Sequence, residues 1–221
     1  IHGIVGENGA GKSTLMKVLS GTYLPTTGTT DIAGVEVRMR KPADAQRLGI
    51  RMVHQELNLV PDLTVAENVY LGRMPRKWGL ADKAKMVRDA AAILDELGAA
   101  IDPKARLGDL SISQQQLVEI AKAYAAGPRI IVLDEPTSSL SEHETAALFR
   151  ILRKMKQEGI AIVYISHRLK EVLEIADVLT LHVPSTPQTR GLIGADRSRI
   201  VASCGHDEAR RVLPKSGAAH C

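Results

Sequence analysis

Apolar positions along this chain change their period several times, and the changes divide it into elements. Ile4-Val5 is a short apolar run that leads into a glycine-rich stretch. Leu15-Met16-Lys17-Val18-Leu19 then has the spacing of a short helix that closes at Gly21. Thr22 to Lys41 is rich in turn residues, with Thr27-Gly28-Thr29 and Ala33-Gly34-Val35, and predicts short antiparallel strands. Gly49 to Gln55 reads as a strand with a polar end. From about Asp62 to Gly127 the period is helical: Leu80, Ala84, Val87, Ala91, Leu94 and Leu97 make one stripe. A second stripe, Leu117, Ile120, Ala121 and Tyr124, follows a cap at Ser111 or Ser113. Ile130-Ile131-Val132-Leu133 is continuously apolar, as a strand buried on both faces requires. Ser141-Glu142-His143-Glu144 is a capping box opening a helix to about Gln157. Ile160 to Ile165 is a further buried strand, and a helix follows over residues 168–176.

Strands alternating with helices predict an α/β fold with a mostly parallel sheet, interrupted by a helical insertion. The expected organisation is a core from 1–61 and 128–181, a helical subdomain over 62–127, and a tail over 182–221. Pro184 and Pro187 would remove ladder donors from a central strand, so the tail is expected to be aberrant and disordered.

Composition narrows the chemistry. The 221 residues suffice for a real core, and no apolar run approaches a membrane span. The net charge is +4, but residues 182–221 hold six Lys/Arg against three Asp/Glu, so residues 1–181 are nearly neutral. With aromatics at 3%, neither charge nor stacking favours a nucleic-acid partner. Both cysteines, Cys204 and Cys221, lie in the tail, which fits a reducing compartment and offers no disulfide framework. With His206 and His220 they match no zinc spacing.

The glycine-rich stretch is Gly6-Glu7-Asn8-Gly9-Ala10-Gly11-Lys12-Ser13, followed by Thr14. It satisfies G-x-x-x-x-G-K-[ST], the loop that wraps nucleotide phosphates. Glycines allow consecutive N–H groups to turn inward, Lys12 brings charge to the β- and γ-phosphates, and the Ser13 hydroxyl can ligate Mg²⁺. Asp134 and Glu135 end the apolar strand Ile130–Leu133, where the first carboxylate suits Mg²⁺ and the second can polarise a water. Gln55 and His167 stand just past other apolar strands, where polar groups can stabilise charge at a γ-phosphate. Ser111 can cap its helix or bind a phosphate there.

These residues together resemble the nucleotide-binding subunit of ABC transporters, through the order P-loop, Gln55, Ser111–Gln116, Asp134-Glu135, Ser139-Leu140-Ser141 and His167. Residues His54 to Pro61, Val65 to Val69, Gln114 to Ala123 and Tyr164 to Arg168 are similar to the bacterial monosaccharide importers of the ribose, galactose, xylose or arabinose type. The intact Glu135 resembles their first cassette.

The resemblance implies an ATP-binding and hydrolysing subunit that drives monosaccharide import from the cytoplasmic face of a membrane. It implies Glu135, Gln55 and His167 as catalytic residues, and Gly6 to Thr14 with Ser111 and Gln114 as nucleotide-binding ones. Ser13, Gln55 and Asp134 are implied around Mg²⁺. The implied partners are a second cassette, fused or separate, a membrane permease and, indirectly, a periplasmic sugar-binding protein. The alternatives are a soluble ABC-type ATPase unlinked to transport and a truncated fragment without function.

Two departures stand out. Ile112 and Ser113 replace the paired glycines of the family signature, and a Cβ at Ser113 is expected to intrude on phosphate approach. The resemblance also implies strands and an adenine-stacking aromatic ahead of the P-loop, and a different continuation after Leu181. The expectation is a piece of a longer ATPase, truncated or frameshifted, that binds Mg-ATP weakly and hydrolyses it poorly alone.

Overall fold

A computed structural model describes residues 1–6 and 10–182, together with the backbone of 199–204 and 208–212. In chain order its elements are β1 (His2–Gly6), α1 (Lys12–Leu19), β2 (Thr30–Ile32), β3 (Val35–Val37), α2 (Pro42–Arg47) and β4 (Ile50–Val53). Next come α3 (Val65–Val69), β5 (Arg76–Lys77), β6 (Leu80–Ala81), α4 (Lys83–Glu96), a 3₁₀ turn (Leu107–Asp109) and α5 (Ile112–Tyr124). The series closes with β7 (Ile130–Asp134), α6 (Glu142–Gln157), β8 (Ala161–Ser166), α7 (Leu169–Ile175), β9 (Val178–His182), β10 (Arg199–Cys204) and β11 (Glu208–Val212). Two compact units result, one from Ile1–Leu48 and the chain from Ala161 onward, the other from Gly49–Ile160.

In the first unit the strand order is β11-β10-β9-β1-β8. All neighbours are parallel except β10 and β11. Gly3 explains how closely α7 lies on β1. A Cβ there would stand 2.1 Å from Val172 Cγ1, so only glycine allows the approach. Ile4, Val5, Tyr164, Ile165, Val172 and Leu179 are buried in this unit, on the two faces of the sheet and in α7. α1 ends in a Schellman motif, with Gly21 N–H donating to Val18 O and Thr22 N–H to Lys17 O, and Gly21 at φ 71°. The antiparallel pair β2–β3 sits where turn residues predict it, joined by Ala33-Gly34, both at positive φ.

Within the tail, 199–204 and 208–212 form β10 and β11. β10 pairs in parallel with β9, Arg199 opposite Val178 and Ala202 opposite Leu181. An edge of unpaired N–H and C=O groups on β9 is a template for another strand, and the Ile200-Val201 pair suits one. The two prolines and the cysteine-histidine set lie wholly or partly outside the described residues.

In the second unit β4 and β7 run parallel, with Val53 opposite Leu133. α3, α4 and α5 pack on one another, and α5 also packs on β4. α4 starts at Lys83, capped by the Asp82 carboxylate accepting from Lys85 N–H, rather than at Leu80. Its buried stripe is Met86, Ala90, Leu94 and Leu97, with Val87 and Ala91 at the flank. Leu80 instead belongs to a small hairpin, because Trp78-Gly79 turns the chain first. α5 likewise departs from its expected stripe. Gln116, Val118, Glu119, Ile120, Ala121 and Ala123 are buried, while Leu117 and Tyr124 are only half-buried. No helix among the described residues is long and apolar enough to cross a membrane.

Candidate functional site

The first unit holds the phosphate loop. β1 ends at Gly6, where a Cβ would meet the His182 carbonyl oxygen at 2.6 Å, so the residue opening the loop must be glycine. Gly11 is left-handed, at φ 84°, and forms the N-cap of α1. That turn starts the helix at Lys12, with its first N–H groups and positive dipole end facing the loop. Lys12 is 7% exposed and donates from Nζ to Gly6 O at 2.6 Å. The ammonium is thereby tied to the end of β1. Ser13 and Thr14 are exposed in the first turn of α1, and Ala10 is half-buried. Glu7, Asn8 and Gly9 lie outside the described residues.

His167 belongs to the same edge. β8 is parallel to β1 with Val5 opposite Ser166, so His167 stands level with Gly6 where the loop begins. It is exposed, and the buried Ser166 hydroxyl accepts from Arg168 N–H at 3.0 Å to turn the chain out of the strand.

The second unit brings Gln55, Asp134 and Glu135 to the carboxyl end of the parallel pair β4–β7, where ligands of open α/β sheets bind. Gln55 is exposed in the bend after β4, whereas Asp134 and Glu135 are half-buried. Glu135 has φ 47°. A non-glycine residue held in the left-handed region costs on the order of 1–3 kcal/mol, and such residues cluster at functional sites. Nothing in the sequence announces that conformation, although Pro136, which follows, restricts the residue before it.

Ser111 and Gln114 are brought together at the start of α5 as a reciprocal capping box. Gln114 N–H donates to Ser111 Oγ at 3.3 Å, and Ser111 N–H donates to Gln114 Oε1 at 3.0 Å. The Ser113 side chain does not stand idle: its Oγ is 2.9 Å from Ser111 Oγ, and it also bonds the Glu144 carboxylate.

A clamp that the motifs did not predict ties the Gln55 segment to this helix. Asn68 is wholly buried. Its Oδ1 accepts from Val60 N–H at 2.8 Å, and its Nδ2 donates to the carbonyls of Val60 and Thr64, each at 3.0 Å. Leu107 N–H donates to Leu63 O and Gly108 N–H to Pro61 O, while Arg106 pairs with Asp62. From α5, Lys122 Nζ donates to Asn58 O at 2.6 Å and lies 3.5 Å from buried Glu119, whose carboxyl burial pushes above its ordinary range. The loop after Gln55 and the segment entering Ser111 are therefore one hydrogen-bonded body.

The ABC transporter family model matches residues 1–138. The chain belongs to the ABC transporter family. A ribose/galactose/methyl galactoside import ATP-binding protein of Agrobacterium fabrum is 71% identical over 98% of this chain and 44% of its own length. The ribose import ATP-binding protein RbsA 1 of Rubrobacter xylanophilus is 47% identical over 96% of the chain and 41% of its length. The first of these alignments takes in 217 residues, so it reaches well beyond Leu181. The chain spans less than half the length of these relatives. Among solved structures, the ADP conformation of an ABC transporter's ATP-binding cassette superposes with a TM-score of 0.72 at 29% identity, covering 82% of this chain and 75% of that one. A nucleotide-free cassette gives the same TM-score at 28% identity, over 82% and 76%. The α/β cassette fold, with its mostly parallel strand pairing, is thus shared with these two ATP-binding cassettes.

Proposed function

We propose that this chain binds and hydrolyses ATP to drive monosaccharide import through a membrane permease, as one cassette of a longer ATPase. The observation that carries the reading is the phosphate loop: Lys12 is buried and folded onto Gly6 O beneath a left-handed Gly11, with a helix N-terminus behind it. The relatives' names, which speak of ribose and galactose import, supply the substrate class.

In this reading the loop from Gly6 to Thr14 wraps the phosphates, and Lys12 leaves Gly6 O to meet them. Ser13, Asp134 and Gln55 each carry an oxygen donor of the kind Mg²⁺ takes when phosphates and water complete its shell. The ion would neutralise charge on the phosphates. Glu135 orients and polarises the attacking water, and His167 stabilises the spreading charge. Ser111 and Gln114 act on nucleotide held by a second cassette. The protein sits at the cytoplasmic face of the membrane, with a permease and, beyond it, a periplasmic binding protein as partners.

Calorimetric titration of the chain with Mg-ATP tests this. Lys12→Ala weakens binding about tenfold or more, as expected for loss of charge-assisted hydrogen bonds. Glu135→Gln leaves binding intact and abolishes what turnover there is. Unchanged affinity in Lys12→Ala would overturn the assignment, and failure to co-purify with a polytopic permease would remove the transport half.

A further inference from the structure

The hairpin β5–β6 has a composition that neither the ATP-binding reading nor the packing explains. Arg76 pairs with Ala81 and Lys77 with Leu80, and Asp82 N–H donates to Pro75 O at 2.8 Å to close the base. Trp78 and Gly79 form the tip, at φ 55° and 84°. Such a turn asks for Asn-Gly or Asp-Gly, and a bulky residue in the left-handed region is unfavourable. Yet the chain's single tryptophan stands there, 94% exposed, with Leu80 beside it at 76%.

Within residues 1–181 the positive charge concentrates at the same place. Residues 76–88 hold Arg76, Lys77, Lys83, Lys85 and Arg88 against Asp82 alone, while the rest of residues 1–181 holds 18 Lys/Arg against 21 Asp/Glu. Lys83 pairs with Glu67 and Lys85 with Asp89. Arg76 and Lys77 are exposed, and no ion pair to either occurs among the described residues. A basic prominence with an aromatic tip therefore stands on an otherwise acidic sequence.

We propose that this hairpin docks on an anionic phospholipid surface, Trp78 and Leu80 entering the headgroup level while Arg76 and Lys77 meet lipid phosphates. Tryptophan prefers the membrane–water interface, where its ring is sheltered and its N–H stays hydrated. Basic side chains gain from the negative potential of such a surface. A protein-binding hot spot differs, since its aromatic is ringed by a broad contact surface that excludes water. Here two apolar side chains rise on a short charged ribbon. The contact is weak by itself and adds to whatever else holds the protein at a membrane. The inference goes beyond the transport reading and does not depend on it.

Trp78 is its own probe. With vesicles containing phosphatidylglycerol, the fluorescence of the chain shifts to the blue and is quenched by brominated acyl chains. With pure phosphatidylcholine, or in high salt, both effects fade. Arg76→Glu combined with Lys77→Glu lowers co-sedimentation with anionic vesicles about tenfold or more, and Trp78→Ala with Leu80→Ser lowers it independently. Neither pair alters Mg-ATP affinity. An unshifted tryptophan in anionic vesicles overturns the proposal, as does co-sedimentation that survives both pairs of substitutions. Hairpin-dependent capture of an acidic protein segment without vesicle binding overturns it too, and gives the hairpin to a protein partner.

Discussion

Ser113 shows how much one side chain changes at a motif. Where the family signature has glycine, its Oγ joins Ser111 Oγ and the Glu144 carboxylate, and it is the main reason that carboxyl is lowered to about 2. The Ser141 backbone and hydroxyl contribute next, and the charge of His143 adds a smaller part. Ser113→Ala therefore raises the Glu144 pKa from about 2 towards the ordinary glutamate value, which an NMR pH titration of the Glu144 side chain reads directly. An unmoved titration would mean that Ser141 alone holds the carboxylate. The expected intrusion of a Cβ at this site could be read from residue identity, but the two hydrogen bonds could not. The bond to Ser111 lies within the first turn of α5, whereas the contact with Glu144 needs the start of α6 beside it, which no local pattern encodes.

At the scale of elements, the helices were legible where caps and period agree. The Ser141 box opens α6 at Glu142, with Ser141 Oγ accepting from Glu144 N–H, and the helix runs to Gln157 as its apolar spacing predicts. The start of α4 is not legible, because Leu80 shares the helical period by coincidence, while the Trp78-Gly79 turn reverses the chain. The clamp on the loop after Gln55 was invisible, since nothing marks Asn68 as a staple rather than an ordinary polar residue. Asn68→Ala leaves Val60 N–H and the carbonyls of Val60 and Thr64 without their side-chain partner. It is expected to lower unfolding free energy by about 2 kcal/mol, measured by urea titration. Asn68→Asp keeps the acceptor for Val60 N–H but turns a buried carboxylate oxygen on the Val60 and Thr64 carbonyls, and is expected to lose at least as much. Equal stability in Asn68→Ala would show that water replaces the amide at no cost.

At the scale of the whole molecule, buried Glu119 couples stability to pH. Burial raises its pKa above the ordinary value, Lys122 and His54 opposing the shift. The folded state then holds the proton more tightly than the unfolded state, so the contribution is full below pH 4.5, the ordinary value, and is lost as pH rises through the folded pKa. Glu119→Gln cannot ionise. The difference in unfolding free energy between variant and parent, followed from pH 4 upward, should move in favour of the variant; no drift, or a drift the other way, would contradict the burial effect. The sequence by itself determined the strand–loop–helix order and the phosphate-binding motif, because glycine placement, caps and apolar period are local properties. It also determined which polar residues end strands: Gln55, Asp134, Glu135 and His167. Tertiary structure alone decided that Lys12 folds onto Gly6, that Glu135 is held left-handed, and that Asn68 binds the Gln55 loop. It also turned β9's open edge into a site for β10. Each depends on the path the folded backbone takes, over six to eight residues for Lys12 and Asn68 and between distant strands for β9 and β10, and residue order alone does not carry it.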